Sequence, residues 1–323
     1  MNRALLAIAG ILVAATGSAF GQAYPTRPVT ILVPFAAGGP TDTIARVMGE
    51  RIRAAIGQPV IIENVSGAGG SIGVTRVVRS APDGYTIGIG HLGTHVINGA
   101  IYNLPFDLLK DLEPIAVIAA NPQILCARKT MPAQNLTELI AWMKENSGKI
   151  TFGTSGAGTP SHVSSLALQA RLDVKGQIVP YRGTGPAMQD LMAGQIDILF
   201  EQAANALPQV NGGTVRAYAV TAKARLPAAP QVPTTDEAGL PGFYMSIWHA
   251  LWAPKGTPKE AIDKIAAAAQ AALKDPVIQK RLGELGQDLP EASLQTPQGL
   301  AAHHKAEIEK WWPLIKSAGI KAE

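Results

Sequence analysis

Val29-Thr30-Ile31-Leu32-Val33-Pro34-Phe35-Ala36-Ala37-Gly38-Gly39-Pro40-Thr41-Asp42 is the stretch on which the fold turns. Its first five residues are β-branched or leucine, a strand-length apolar run bounded by prolines. A Gly-Gly turn follows. From about Thr41, Ile44, Val47, Met48, Ile52 and Ile56 then recur on one helical face until Gly57 closes it. The same alternation predicts strands at 59–63, 85–90, 149–153, 177–180 and 195–200. Helices are predicted at 71–80, 136–146, 160–171 and 186–193. Strands separated by single helices imply parallel sheets covered on both faces.

Two stretches read as crossings between lobes. Residues 113–128 hold two strand-like segments with Asn121-Pro122 between them, and 225–242 carries four prolines, too many for a helix or central strand. Thr257-Pro258-Lys259-Glu260 has the form of a capping box before an Ala-rich helix, and a last helix is predicted over 297–316.

Asn2-Arg3, the apolar run Ala4–Ala15 and Gly21-Gln22-Ala23 form a secretory signal, with cleavage expected after Ala23 and a periplasmic destination. No later segment has the length and hydropathy of a membrane span. Loss of Arg3 takes the formal charge from +4 to +3, compatible with anionic ligands and far from a nucleic-acid footprint. Cys126 is the only cysteine, so no intramolecular disulfide can form and burial must supply the stability. With 47% hydrophobic residues, the chain can fill two cores.

The chemistry lies between strand ends and helix starts. Phe35–Asp42 and Thr154-Ser155-Gly156-Ala157-Gly158-Thr159-Pro160-Ser161-His162 are Gly-rich turns feeding helix N-termini, where free N–H groups and the helix dipole favour an anion. A third loop, Ser66-Gly67-Ala68-Gly69-Gly70, fails the dinucleotide spacing at Ile72, and no G-K-[ST] triplet occurs. Arg182, in Tyr181-Arg182-Gly183-Thr184-Gly185, can make a bidentate contact with a carboxylate. His91 follows the 85–90 strand as a neutral donor candidate. With His95 it has the spacing of a metal pair, but no carboxylate clusters with them, so no metal is expected. His303-His304 reads as surface, Trp248 and Trp252 as core, and Asp42 as a helix cap.

A hydrolase is the competing reading. Gly153-Thr154-Ser155-Gly156-Ala157 nearly matches a nucleophile elbow, and Asp197 and His249 follow in Ser…Asp…His order. Against it, Asp197 falls inside a strand pattern and His249 lies mid-strand between two tryptophans.

Further residues carry a family resemblance: Tyr24-Pro25, Arg27-Pro28, Val33-Pro34-Phe35-x-x-Gly38-Gly39-x-x-Asp42 and Glu63-Asn64-x-x-Gly67-Ala68-Gly69-Gly70. Ala81-Pro82-Asp83-Gly84-Tyr85-Thr86, Gly153-Thr154-Ser155-Gly156-x-Gly158-x-x-Ser161-His162 and Ala253-Pro254-x-Gly256-Thr257-Pro258 continue it. Together they resemble the Bug-type receptors, solute-binding proteins of tripartite tricarboxylate transporters. The resemblance implies an α/β, two-lobed type II periplasmic-binding fold, each lobe a mainly parallel sheet flanked by helices, closing on a carboxylate between the lobes. Lobe 1 is then expected to comprise 24–122 and 228–323, and lobe 2 residues 123–227, after a signal peptide at 1–23.

Carried onto this chain, the ligand-binding positions are Phe35, Ala36, Gly38, Gly39, Thr41 and Asp42 on the first loop and Ser155, Gly156, Thr159 and His162 on the second. His91 and Thr94, Arg182 and Gly183, and Glu201 complete the expected set. Many relatives carry Lys where this chain has Arg182, and small polar residues around Phe200-Glu201-Gln202, so the distal end of the ligand is where this chain departs. The expectation is a monomeric receptor, without cofactor or catalysis. It would deliver a dicarboxylate or aromatic acid to the membrane subunits of such a transporter. A regulator with the same fold would need a DNA-binding helix-turn-helix, which the signal sequence argues against.

Overall fold

The computed structural model describes residues 24–317; the expected signal peptide and its cleavage site lie outside them. Nine strands run as β1 (Val29–Val33), β2 (Val60–Asn64), β3 (Thr86–His91), β4 (Leu112–Arg128), β5 (Ile150–Thr154), β6 (Gly176–Pro180), β7 (Ile198–Gln202), β8 (Val215–Val220) and β9 (Ser246–Pro254). The helices that matter here are α1 (Pro40–Ile56), α2 (Ser71–Val78), α3 (Asn98–Ile101), α4 (Leu136–Glu145), α5 (Pro160–Leu172), α6 (Thr184–Met192), α7 (Ala203–Asn211), α8 (Lys259–Lys274), α9 (Pro276–Glu284) and α10 (Pro297–Ser317).

The strand order is β2-β1-β3-β9-β4-β7-β5-β6, with β8 also on β4. Where single helices separate strands, pairing is parallel: β1 with β2 and β3, β5 with β6 and β7. The long strands β4 and β9, reached by other connections, pair antiparallel with their neighbours. The segments expected as two strands are one 17-residue strand that changes partners midway. Its residues Leu112–Pro122 pair with β9, and from Gln123 onward it pairs with β7 and β8. Pro122 falls at the change of partners, where its missing N–H disrupts neither ladder.

β4 thus joins two lobes, each with a core on both faces of its half-sheet. In the first lobe, α1, α8 and α9 cover one face with Ile44, Met48, Ile52, Ile265 and Leu282, while the other face is packed by Val74, Val96, Leu300 and Trp252. In the second, Leu139, Phe152, Leu168 and Phe200 fill one side, and Met188, Leu191, Leu199 and Leu207 the other. A truncation such as Ile44→Ala would cost about 2–5 kcal/mol through lost transfer energy plus a cavity. α1 forms because its apolar residues make one buried stripe, and it stops at Gly57, whose left-handed φ of 72° sends its N–H back to the Arg53 carbonyl.

Three local expectations are corrected. The proposed capping box does not form: Thr257 Oγ1 donates to the Pro254 carbonyl, and α8 begins at Lys259 without a side-chain cap. His304 is not on the surface. It is 3% exposed, its Nε2 at the His95 carbonyl, with His95 stacked on Trp252. Asp42 does not cap α1, because Gly39 holds that position and Asp42 lies in the first turn.

Candidate functional site

All six parallel strands aim their carboxyl ends at one cleft between the lobes. Phe35 follows β1, Gly67–Gly70 follow β2, His91 ends β3, Ser155 follows β5, Tyr181 and Arg182 follow β6, and Gln202 ends β7. They line two chambers that share Phe35 and Ser155. The outer one encloses about 270 Å³, and the inner one, about 10 Å³, is the size of one water. Carboxyl ends of strands are where open α/β sheets bind ligands.

The first loop is held by its own acid. Asp42 accepts from the Gly38 N–H (3.0 Å), from Arg46 Nε and Nη2 (both 2.9 Å) and from Asn64 Nδ2 (3.0 Å). Burial pushes its carboxyl up, but these hydrogen bonds outweigh that and hold it below the usual range. The loop also touches the second lobe, where the Ala36 N–H donates to the Arg182 carbonyl at 3.0 Å. Gly183 and Gly185 press so closely that a Cβ on either would lie 3.3 Å from the Ala36 or Gly39 nitrogen.

Three donors of the second loop are spent in the same way. The Ser155 N–H donates to Ser161 Oγ, the Gly156 N–H to Thr154 Oγ1, and the Gly158 N–H to His162 Nδ1. Thr159 Oγ1 donates to the Gly156 carbonyl at 2.7 Å, and Ser155 Oγ lies 3.1 Å from Ser161 Oγ. Of the main-chain N–H groups at Gly38, Gly39 and Gly156, expected to hold a carboxylate, those of Gly38 and Gly156 are occupied inside their own loops.

The third loop, discounted on its dinucleotide spacing, supplies unspent donors. Gly67, Ala68, Gly69 and Gly70 have φ of 135°, 46°, 58° and 92°. Successive left-handed residues turn their N–H groups to one side, making the concave nest that receives anions. Ala68 is one of only two non-glycines with positive φ among the described residues, a strained conformation at a cavity wall. Among the described residues, the N–H groups of Ala68 and Gly69 serve no other group, and neither does that of Ala157 opposite. Asn98, fully buried, fixes the nest by donating to the Gly69 carbonyl (2.9 Å) and Ser71 Oγ (3.1 Å). The signal for this loop was present in its run of glycines and in the family motif that contains it.

Other expected residues divide clearly. His91, 2% exposed, lies on the inner chamber, stacked on Phe35 with centroids 4.9 Å apart. Its Nδ1 accepts the Gly93 N–H at 2.9 Å and burial lowers its pKa to about 4, so the ring is neutral with its proton on Nε2. Thr41 lines the same chamber, its hydroxyl 3.2 Å from His249 Nε2. Arg182 lines the outer chamber, solvent-exposed and without an ion-pair partner among the described residues. Thr94 lines neither chamber. Its hydroxyl accepts the His91 N–H and contacts His95 Nδ1, stiffening the turn after β3. Glu201 lies behind the inner chamber, receiving Thr184 Oγ1, the Gln202 N–H and Asn205 Nδ2, and burial raises its pKa to about 7. Sequence reasoning missed Tyr102, whose hydroxyl donates across the cleft to the Ala157 carbonyl at 2.8 Å, and the apolar wall of Ile178 and Pro180.

The hydrolase arrangement is not assembled. Asp197 is engaged by Arg128 Nε and by the Thr151 N–H and hydroxyl at the far end of β5. His249 pairs with Thr41, and Ser155 with Ser161. Among the described residues, no group of three His, Cys, Asp or Glu side chains is placed to hold a metal.

Residues 44–320 match the family described as tripartite tricarboxylate transporter family receptor. Three solved structures share the architecture. The periplasmic binding protein BugD is 41% identical with a TM-score of 0.89, over 93% of this chain and all of its own. MatC from Rhodopseudomonas palustris, with bound malate, is 41% identical with a TM-score of 0.86, over 90% of this chain and all of its own. A second R. palustris protein, with adipate, is 33% identical with a TM-score of 0.88, over 92% and 99%.

Proposed function

The chain belongs to the tripartite tricarboxylate transporter receptor family, and from that premise we propose that it is an exported periplasmic receptor for a small dicarboxylate. It would release this ligand to the membrane subunits of such a transporter. The observation that carries the reading is the outer chamber, where the unspent N–H groups of Ala68, Gly69 and Ala157 face a space whose one cationic side chain among the described residues is Arg182. One carboxylate sits in the nest against the Ala157 N–H, with the Ser155 hydroxyl and the neutral His91 on the inner side. Arg182 reads the second carboxylate at the mouth.

A space of about 270 Å³ lies just below the ~300–1,000 Å³ of drug-sized sites and suits an acid of a few carbons. Malate and adipate, held by two relatives, are both diacids. Residues 24–122 and 245–317 act as one lobe and 123–244 as the other, closing over the ligand as a monomer; Ala229, Val232 and Leu240, expected in the first lobe, pack into the cores of the second.

The test is a thermal-unfolding screen against mono-, di- and aromatic carboxylates. Ligand at 100 times its Kd should add ~2.7 kcal/mol of stability. A screen in which no carboxylate raises Tm refutes the reading.

A further inference from the structure

A further cavity, of about 510 Å³, lies between the lobes beside the strand crossing and is larger than the outer chamber of the cleft. Asn211, Leu226 and Pro227 of the second lobe line one side of it, and Glu284, Gln287 and Asp288 of the first lobe the other. It shares no lining residue with either cleft chamber. The Asp288 N–H donates to the Ala120 carbonyl at 2.7 Å, and the Ala120 N–H returns to the Asp288 carbonyl at 3.1 Å. This pairing falls just before Pro122, where β4 changes partners, and holds the wall at the hinge. Gly286, at φ 64°, presses on α7 so closely that a Cβ there would lie 2.5 Å from Ala203 Cβ.

The polar part of this wall is negative. α7 ends at Asn211 and α9 at Glu284, so the negative ends of two helix dipoles lie at the cavity. No Lys, Arg or His is among the described residues lining it. The neighbouring cations are engaged: Arg225 with Glu237, Arg281 with Glu50, and Lys280 with Glu284. Asp288 keeps a carboxylate without an ion-pair partner among the described residues. Gln287, 5% exposed, spends its Nε2 on the Leu285 carbonyl at 3.1 Å, while its Oε1 has no partner among the described residues. A buried acceptor in that condition is costly, and a ligand donor would relieve it. Leu226 and Pro227 make the opposite side apolar, and no group of three His, Cys, Asp or Glu side chains is placed for a metal among the described residues. We infer that this cavity is a second binding site, for a small organic cation. A primary ammonium donates to Asp288 with Gln287 Oε1 as its second acceptor, and the alkyl body covers Leu226 and Pro227. The inference goes beyond the receptor reading and does not depend on it. Because both lobes supply walls, an occupant favours the lobe angle at which those walls meet.

The deciding experiment titrates n-hexylammonium chloride into the protein and follows amide NMR shifts, with 1-hexanol as the uncharged control. Saturable shifts are expected around Asn211, Leu226 and 283–288. Hexanol should bind at least about tenfold more weakly, and hexylammonium should lose about tenfold in Asp288→Asn, the scale of one hydrogen bond to a charged group. Asp288 serves the fold through its main chain, so that variant keeps the pairing with Ala120. Undiminished binding in Asp288→Asn, shifts confined to the cleft loops, or no saturation at millimolar concentrations overturns the inference. Gly69→Ala penalises the closed lobes, because its Cβ would lie 2.4 Å from the Ala157 carbonyl oxygen, and should weaken hexylammonium several-fold. An unchanged Kd in that variant overturns the link to lobe angle. None of these outcomes touches the carboxylate screen, so the failure of either reading leaves the other standing.

Discussion

Gly69→Ala tests whether the two lobes close by main-chain contact. Gly69 sits at φ 58°, so an alanine there costs ~1–2 kcal/mol of left-handed strain in any state of the protein. Its added Cβ would also lie 2.4 Å from the Ala157 carbonyl oxygen across the cleft. That neighbour is backbone and cannot swing aside. The second cost applies only when the lobes are together, and overpacking of this kind runs to ~1–3 kcal/mol. At about 1.4 kcal/mol per tenfold, ligand affinity should fall roughly 5- to 150-fold, while the ligand-free protein loses only the strain.

Calorimetric Kd and Tm of the free protein separate the two costs. Gly148→Ala is the control: φ is 88° and nothing lies within 4 Å of its Cβ, so it should lower Tm without touching Kd. Wild-type affinity in Gly69→Ala would refute the cross-cleft contact. An equal loss of affinity in Gly148→Ala would show that strain alone explains it.

Arg182→Ala should weaken a diacid by about tenfold, the low end of the ~1.5–3 kcal/mol for a hydrogen bond to a charged group, because the guanidinium is exposed. A monoacid of equal length should change less than threefold; equal losses by calorimetry would place Arg182 on the shared carboxylate. Stability should also depend on pH in two opposing ways. His91 and His304 are buried with pKa values near 4, and His95 and His249 are lowered too, all by burial. The unfolded chain therefore binds more protons below pH 6.5, and each such histidine removes ~1.4 kcal/mol per unit as pH falls from 6.5 toward its folded value. Glu201, raised to about 7, acts oppositely. Its contribution is complete below about 4.5 and is lost as pH rises through 7. Denaturant midpoints should rise from pH 4.5 to 6.5, and rise more steeply in Glu201→Gln. A flat profile in both would contradict the buried neutral histidines.

Legibility in the sequence followed the physics of each feature. The β1 loop and α1 could be read because a strand-length apolar run, Gly38-Gly39 and a five-residue stripe all act locally. β4 was read as two pieces because Pro122 ordinarily breaks a central strand, and only the tertiary change of partners removes that penalty. His304 reads as a surface residue within its helix, and only its tertiary contacts with the His95 carbonyl and the rings of Trp248 and Trp252 bury it. Tyr102 carries no local signal, because its acceptor lies 55 residues away.

The same distinction explains why the open donors were harder to name than the loops that carry them. Glycine content marks where main chain can approach a ligand, and all three loops it marks line the cleft. It does not say which N–H groups remain after the loop has satisfied itself. Asp42 and Ser161 lie four and six residues from the donors they consume, and both precede any ligand in claim on those donors. The third loop keeps the N–H groups of Ala68 and Gly69, while that of Gly70 is spent on the Gly67 carbonyl. Its one buried partner, Asn98, spends its amide as a donor to the Gly69 carbonyl and leaves the N–H groups alone. A site built from main chain is therefore found by accounting for each donor and acceptor in the fold, and among the described residues that accounting leaves Ala68 and Gly69 on the third loop, Ala157 on the second and Gly39 on the first.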